Sequence, residues 1–597
     1  MTGKQSGTAA EAVSEEHFFM GWLFTFIPQQ GRKNMKGNWL KSLFAAGLAV
    51  SLAACSSGSS AASSTASAGT ETAAAASGDS AIVVATSSQF TTLDPALNTE
   101  TVNNHVITHI YSGMFRTDTS GVAQPELADS YEVSDDGLTY TFHLKSGITW
   151  SDGTPITAGD FVYSYLRALS YGADNAWAIY DMTSFIQGAA EYNQAALEAG
   201  NDFDCTTADH SYVGIEAPDD QTLVLTLKVP CTYLPGLMTS NVWTPVPQGT
   251  PQHDSLWSMT AGYATSGPYT LTDFNENDKA VLVKNDSYFD ADSITMNQIT
   301  FQVMTDQDSQ AVAFQSGEID IADSVTIDTA KSYEGTDSLW LLNTPVNYFL
   351  AINSGDTGPD WAKDVNVRKA LAEAIDKDAL TDVLGGTDFY PVLNGYIPFG
   401  LAGNDGDFRE EGDKEAEEKG LTISYDPDDA KALLAAAGYD ESNPLHITYK
   451  YSNSGIHGDV ATVLQQMWQA VGIEVDFEAV ESGVFYDQLD QGDFEIARYG
   501  YSAGDSPIQF LDLWTTGIQV TAAVDDATFD QMVADIKQIA DPAEFITKCH
   551  EAEEYLYYEN VYVIPLFQYT SQYLVNADLA GYELDGTNTF YGHAYFK

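Results

Sequence analysis

Basic residues are scarce: 25 Lys and Arg stand against 85 Asp and Glu in 597 residues, a formal net charge of −60. That deficit excludes a nucleic-acid partner, because phosphates are neutralised by Lys and Arg. It argues equally against electrostatic docking on anionic lipid. The acidic excess reads as self-repulsion that keeps an exported chain soluble. Cysteine is also rare. Cys55, Cys205, Cys231 and Cys549 fit no zinc spacing. With Cys55 set aside, at most one disulfide can form; a Cys205–Cys231 pair is one option, and spacing alone does not show that the two approach. After the N-terminal region no apolar run reaches the ~18 residues of a membrane-spanning helix. The sequence also has no phosphate loop, no Gly-x-Gly-x-x-Gly after a strand and no Gly-x-Ser-x-Gly elbow. His550-Glu551 lacks the second His of a zinc-protease helix. With no nucleophile–base constellation, the chain reads as a binding protein, not an enzyme, with no cofactor and no metal.

Two weak metal signals remain. His105 and His109 lie four apart on an expected helix, but two histidines alone make a poor site. Asn404-Asp405-Gly406-Asp407 has calcium-loop residue types without the full loop spacing, and reads as a turn.

The N-terminus reads as an address. Residues 1–34 look like an over-extended translation start before Met35. Lys36 and Lys41, then the apolar Leu43 to Val50, then Leu52-Ala53-Ala54-Cys55 have the order of a signal peptide over 35–54. The tetrapeptide resembles a bacterial lipobox, which implies diacylation of Cys55, and two acyl chains suffice for stable anchoring. Ser56 to Ser80 is almost wholly Ser, Ala, Gly and Thr, a flexible tether.

The body has the length for two or three cores and a mixed α/β pattern without solenoid repeats. Tyr140, Phe142 and Leu144 alternate as a strand, and Thr222 to Leu227 and Val281 to Val283 do the same. Ser151 to Pro155 is a turn, and Thr157 with Asp160 opens a helix as a capping box. Val367, Leu371, Ala374 and Ile375 predict one amphipathic helix over 365–380. Asp426-Pro427 starts another helix, and Gly438 ends it. Leu445 to Tyr451, the stripe Val460, Val463, Leu464, Met467 and Val471, and then Ile473, Val475 and Phe477 make a βαβ unit.

The phrase Trp150-Ser151-Asp152-Gly153-Thr154-Pro155-Ile156-Thr157-Ala158-Gly159-Asp160-Phe161-Val162-Tyr163-Ser164 resembles the signature of the oligopeptide-binding branch of bacterial solute-binding proteins. These are lipoprotein or periplasmic receptors of ABC importers for peptides and nickel. Further phrases fit in order: Leu93-Asp94-Pro95, Pro125-Glu126-Leu127-Ala128, Ser266-Gly267-Pro268-Tyr269, Gly317-Glu318-Ile319-Asp320, Val367-Arg368-Lys369-Ala370-Leu371 and Gln466-Met467-Trp468. The resemblance runs from about residue 81 to about 585.

What it implies is an α/β, two-lobed periplasmic-binding-protein fold of type II, the large peptide-binding class. Lobe I would be 81–124, 235–350 and 566–597; an added small domain 125–234; lobe II 351–565. An oligopeptide would lie in the cleft, paired through its backbone to strand edges. The family segment that holds the ligand matches Arg498 to Pro507. It implies Arg498, Tyr499, Gly500, Tyr501, Ala503 and Asp505 at the ligand, with Phe90 from lobe I. Arg498 would meet the ligand carboxylate. Asp505 would meet the α-amine, although Gly504 fills the family's acidic position and the segment is one residue short. Expected partners are the peptide, ABC permease subunits and, through the lipid anchor, the outer face of the cytoplasmic membrane; a monomer is expected. The alternatives kept open are a nickel chelate or an oligosaccharide and, from other classes, a peptidase or an adhesion lipoprotein.

Overall fold

Alternation in the sequence becomes alternation across sheets. In strand Thr139–Leu144, Tyr140, Phe142 and Leu144 face the core. The computed structural model describes residues 80–118, 122–171, 179–252, 254, 256–502, 506–516, 524–584 and 589–597. The signal peptide, Cys55 and almost all of the tether therefore lie outside the described residues.

A mixed sheet of ten strands organises the molecule. Its order is Ile473–Val480, Leu445–Ser452, Ile496–Ser502, Leu339–Ile352, Val563–Val575, Ile321–Ala322, Ala81–Thr86, Gln298–Val303, Lys279–Lys284 and Tyr269–Asn275. The first three strands belong to one lobe and the last five to the other. The two long strands between them run through both. On Leu339–Ile352, Tyr348, Leu350 and Ile352 enter one apolar core, while Phe349 and Ala351 enter another on the opposite face. Both faces of that lobe are thus covered, and the strands there read as continuous apolar runs. A separate four-stranded sheet, in the order Ala128–Val133, Thr139–Leu144, Thr222–Thr226 and Ile215–Asp219, packs on helix Ala158–Leu169. Its Phe142, Leu223 and Leu225 share one apolar cluster with Val84 and Phe301 of the large sheet. Among the described residues no helix is long and apolar enough to cross a membrane.

The βαβ unit forms as the pattern predicts: Leu445–Ser452, helix His457–Ala470 and Ile473–Val480, with the two strands parallel. Asp426 caps its helix by accepting from the backbone N–H groups of Asp428 and Asp429 at 3.2 and 3.0 Å. One expectation fails. The single helix over 365–380 is two, Val365–Glu373 and Lys377–Leu384. The Asp376 carboxylate accepts from the Ala379 N–H at 3.0 Å and starts a new helix where the apolar stripe alone would have continued.

Candidate ligand cleft

The candidate segment is strand Ile496–Ser502. On one side it pairs along its whole length with the inter-lobe strand, from Ile352↔Ile496 to Val346↔Ser502. On the other side its ladder with Leu445–Ser452 consists of Tyr449↔Ile496 and Lys450↔Ala497 and goes no further. The ladder with Leu445–Ser452 does not continue toward Ser502, and a strand end of that kind is a backbone surface that an extended ligand can extend.

Side chains on the strand alternate between environments. Arg498 is only 4% exposed. Its guanidinium donates to the Ser452 hydroxyl at 2.8 Å and to the Tyr486 hydroxyl at 3.2 Å, and lies over the Phe485 ring at 5.2 Å. The phenols of Tyr348, Tyr449 and Tyr569 also stand near it. Burial, and then the Arg498 charge, push His457 down to about 2, so the imidazole there is neutral. Tyr499 points the other way. At 1% exposure it packs on Phe349 and Tyr486, so in this conformation it serves the core. Gly500 sits where an added Cβ would stand 3.1 Å from the Asn347 carbonyl oxygen, a tight approach.

Tyr501 lies at the junction of the lobes. Its backbone N–H donates to Asn347 Oδ1 at 3.1 Å and its ring meets Phe510 edge-on at 5.4 Å. Burial, then Tyr180, Asp512 and Asp181, raise its phenol pKa. Tyr180 and Asp181 come from the small-sheet side of the molecule; the Tyr180 hydroxyl donates to Asp512 Oδ2 at 3.5 Å. Tyr233, from the same side, packs on Phe545 at 5.3 Å. Sequence reading missed Tyr180, Asp181, Asp512 and Asn347. They are scattered along the chain, and only Asp512, in the helix that Ser506 and Pro507 open, was adjacent to a recognisable segment. Ala503 and Asp505 fall outside the described residues. Phe90 is not at this strand. It is 3% exposed in the core of the other lobe, against Phe274 at 5.6 Å.

The weak metal signals dissolve into structure. His109 Nδ1 hydrogen-bonds the His105 carbonyl at 2.6 Å and its Nε2 accepts from the Tyr591 N–H at 2.9 Å. Both ring nitrogens are spent, so the pair cannot share an ion. In the 404–407 turn, Asp407 accepts from the N–H groups of Gly400 and Arg409 at 2.6 and 2.8 Å. The nearby Glu411 accepts from the Asn404 N–H at 2.9 Å. Among the described residues no group of three or more ligating side chains could hold a metal. Cys205, Cys231 and Cys549 are buried free thiols.

The most recognisable phrases prove to be structural ties. Asp94 holds the buried Arg167 guanidinium and accepts from the Trp257 indole at 2.9 Å. Asp160 accepts from the Thr157 N–H and hydroxyl at 2.8 and 3.0 Å. Asp152 accepts from the Thr154 N–H at 2.9 Å. Trp468 donates to the Leu371 carbonyl at 3.0 Å.

Known proteins are similar to this chain in sequence and in fold. Residues 122–521 match the family model described as bacterial extracellular solute-binding proteins, family 5 middle. The dipeptide-binding protein DppE of Bacillus subtilis is 27% identical over 91% of this chain and 96% of its own. The periplasmic oligopeptide-binding protein OppA of Escherichia coli is 28% identical over 84% of this chain and 90% of its own. The unliganded open form of the murein tripeptide-binding protein MppA superposes with a TM-score of 0.73 at 24% identity, covering 87% of this chain and 97% of that one. The chain belongs to the bacterial extracellular solute-binding proteins, family 5.

Proposed function

We propose that the chain is the peptide receptor of an ABC importer, captures an oligopeptide between its lobes and delivers it to the permease. The observation that carries this reading is the strand edge beside Arg498, where the second ladder stops at Ala497. An extended peptide placed there gains main-chain hydrogen bonds whatever its sequence. Its terminal carboxylate meets a guanidinium already held by Ser452 and Tyr486. Relatives whose names specify dipeptides and oligopeptides align over nearly the whole chain. A nickel chelate is less well served, since among the described residues no group of three or more His, Cys, Asp or Glu side chains could hold a metal. The reading includes cleavage before Cys55, lipid on that cysteine, and a monomer tethered at the outer face of the cytoplasmic membrane.

The test uses peptides with blocked ends. Removing one member of a buried charged pair weakens binding by about 2–5 kcal/mol. Arg498→Gln is expected to weaken free-carboxylate peptides by that order and to affect amidated ones far less. Asp505→Asn is expected to discriminate free-amine from N-acetylated peptides in the same way. Equal losses for free and blocked peptides would remove these residues from the ligand. Cys55→Ala is expected to release the protein from the membrane fraction or to accumulate as precursor; mature protein retained in membranes would contradict the anchor.

A further inference from the structure

Two strands carry the chain between the lobes, Leu339–Ile352 and Val563–Val575. Their register runs from Leu339↔Leu574 to Asn343↔Thr570 and resumes at Asn347↔Gln568. Four steps on the first strand answer two on the second, so Thr344, Pro345 and Val346 form a bulge at the crossing. Pro345 has no N–H to offer a ladder. A bulge at such a place leaves backbone groups to be satisfied by other means.

Two fully buried side-chain amides flank the bulge: Gln568 satisfies its Thr344 carbonyl, and Asn347, the first residue after it, ties the strand to lobe II. Gln568 Nε2 donates to the Thr344 carbonyl at 2.6 Å and to the Phe399 carbonyl at 3.1 Å. Its Oε1 accepts from the Phe399 N–H at 2.8 Å. Asn347 Nδ2 donates to the Tyr396 carbonyl at 2.7 Å, and its Oδ1 accepts from the Tyr501 N–H at 3.1 Å. The segment they grip, residues 391–400, is fastened to the body of lobe II. Glu553 accepts from the Ile397 N–H at 2.7 Å, Asp407 from the Gly400 N–H at 2.6 Å, and Lys377 donates to the Leu393 carbonyl at 2.7 Å.

We propose that Asn347 and Gln568 are positioning residues of the receptor: their amides lock the bulge to lobe II, confine bending between the lobes to Asn343–Val346, and hold the Tyr501 end of the ligand strand at a set place beside that pivot. The proposal rests on the reading of the chain as a receptor that closes on its ligand. Apolar replacements of similar size leave the Thr344, Phe399, Tyr396 and Tyr501 backbone groups without these partners. The lobes then sample a wider range of angles, and the fraction poised to close falls. Apparent affinity falls by that same fraction.

Gln568→Met and Asn347→Leu test this in the full chain, with Leu350→Ala as control; Leu350 is on the same strand, buried in the core. Three readouts are taken: hydrogen exchange of the ligand-free protein, its small-angle scattering distance distribution, and trialanine binding by calorimetry. Gln568→Met is expected to lose protection at the Phe399 amide and Asn347→Leu at the Tyr501 amide. Both broaden the inter-lobe distances and weaken trialanine about tenfold. Leu350→Ala lowers the melting temperature without changing the distance distribution. Variants that melt earlier yet keep the wild-type distances and trialanine affinity overturn the proposal. Should either variant fail to fold, Gln568→Glu, which keeps the acceptor for Phe399, takes its place. If trialanine binds no form of the protein, the peptide reading fails, while the ligand-free distances still decide the role of the two amides.

Discussion

Asp94 illustrates what single residues contribute here. Its carboxylate is wholly buried against Arg167, itself 1% exposed at the side chain, and also takes the Ala96 N–H at 3.1 Å. Truncating one member of such a pair strands the other charge, at a cost of about 3–5 kcal/mol. Asp94→Ala is therefore expected to lose that much stability in a denaturant titration and to leave ligand affinity unchanged where both proteins are folded. An affinity loss at intact stability would place Asp94 at the ligand instead. His105 supports a second prediction. It is 2% exposed, and neither ring nitrogen has a hydrogen-bond partner among the described residues. Burial lowers its pKa from 6.5 to about 4. Below pH 6.5 the unfolded chain takes up a proton at this site that the folded chain refuses until about 4, so stability falls as pH drops through that window. His109, lowered to about 3 chiefly by burial, acts in the same direction. His105→Leu is expected to flatten the slope of unfolding free energy against pH between those values; an unchanged slope would show that His105 is protonated in the folded state.

At the scale of elements, local signals were legible where local physics decides. The βαβ unit, the Asp426 cap and the turn at Asp152-Gly153 all follow from periodicity and side-chain-to-backbone bonds within a few residues. The helix over 365–380 was misread because a stripe of apolar residues says where a face lies, not where Asp376 breaks the chain. The family phrases were legible as a resemblance, and the Thr157–Asp160 capping box within them was legible as a cap; that Asp94 and Trp468 tie distant elements together was not, because Arg167 and Leu371 lie far from them in sequence. Tyr180 and Asn347 carried no local signal, because tertiary contacts alone bring them near Tyr501. Gly267 belongs to this scale as well. A Cβ there would stand 2.7 Å from the Ile110 carbonyl carbon, so the bend before strand Tyr269–Asn275 meets the end of helix Thr101–Ile110 only over glycine. Gly267→Ala is expected to cost about 1–3 kcal/mol by forcing them apart; a neutral result in thermal melts would show that the contact yields freely.

For the whole molecule, the large acidic excess and the two long strands that run through both lobes are the governing facts. With a formal net charge of −60, self-repulsion opposes the compact state and is screened by salt. The central claim is that the ligand is a peptide held by its backbone and its terminal carboxylate. Titration calorimetry of the purified protein with trialanine, amidated trialanine, maltotriose and a nickel–histidine chelate tests it directly. The account predicts one-to-one binding of trialanine, weaker binding of the amide, loss of that difference in Arg498→Gln, and no heat from the sugar or the chelate. Binding of maltotriose or the nickel chelate with silence from both peptides would contradict it.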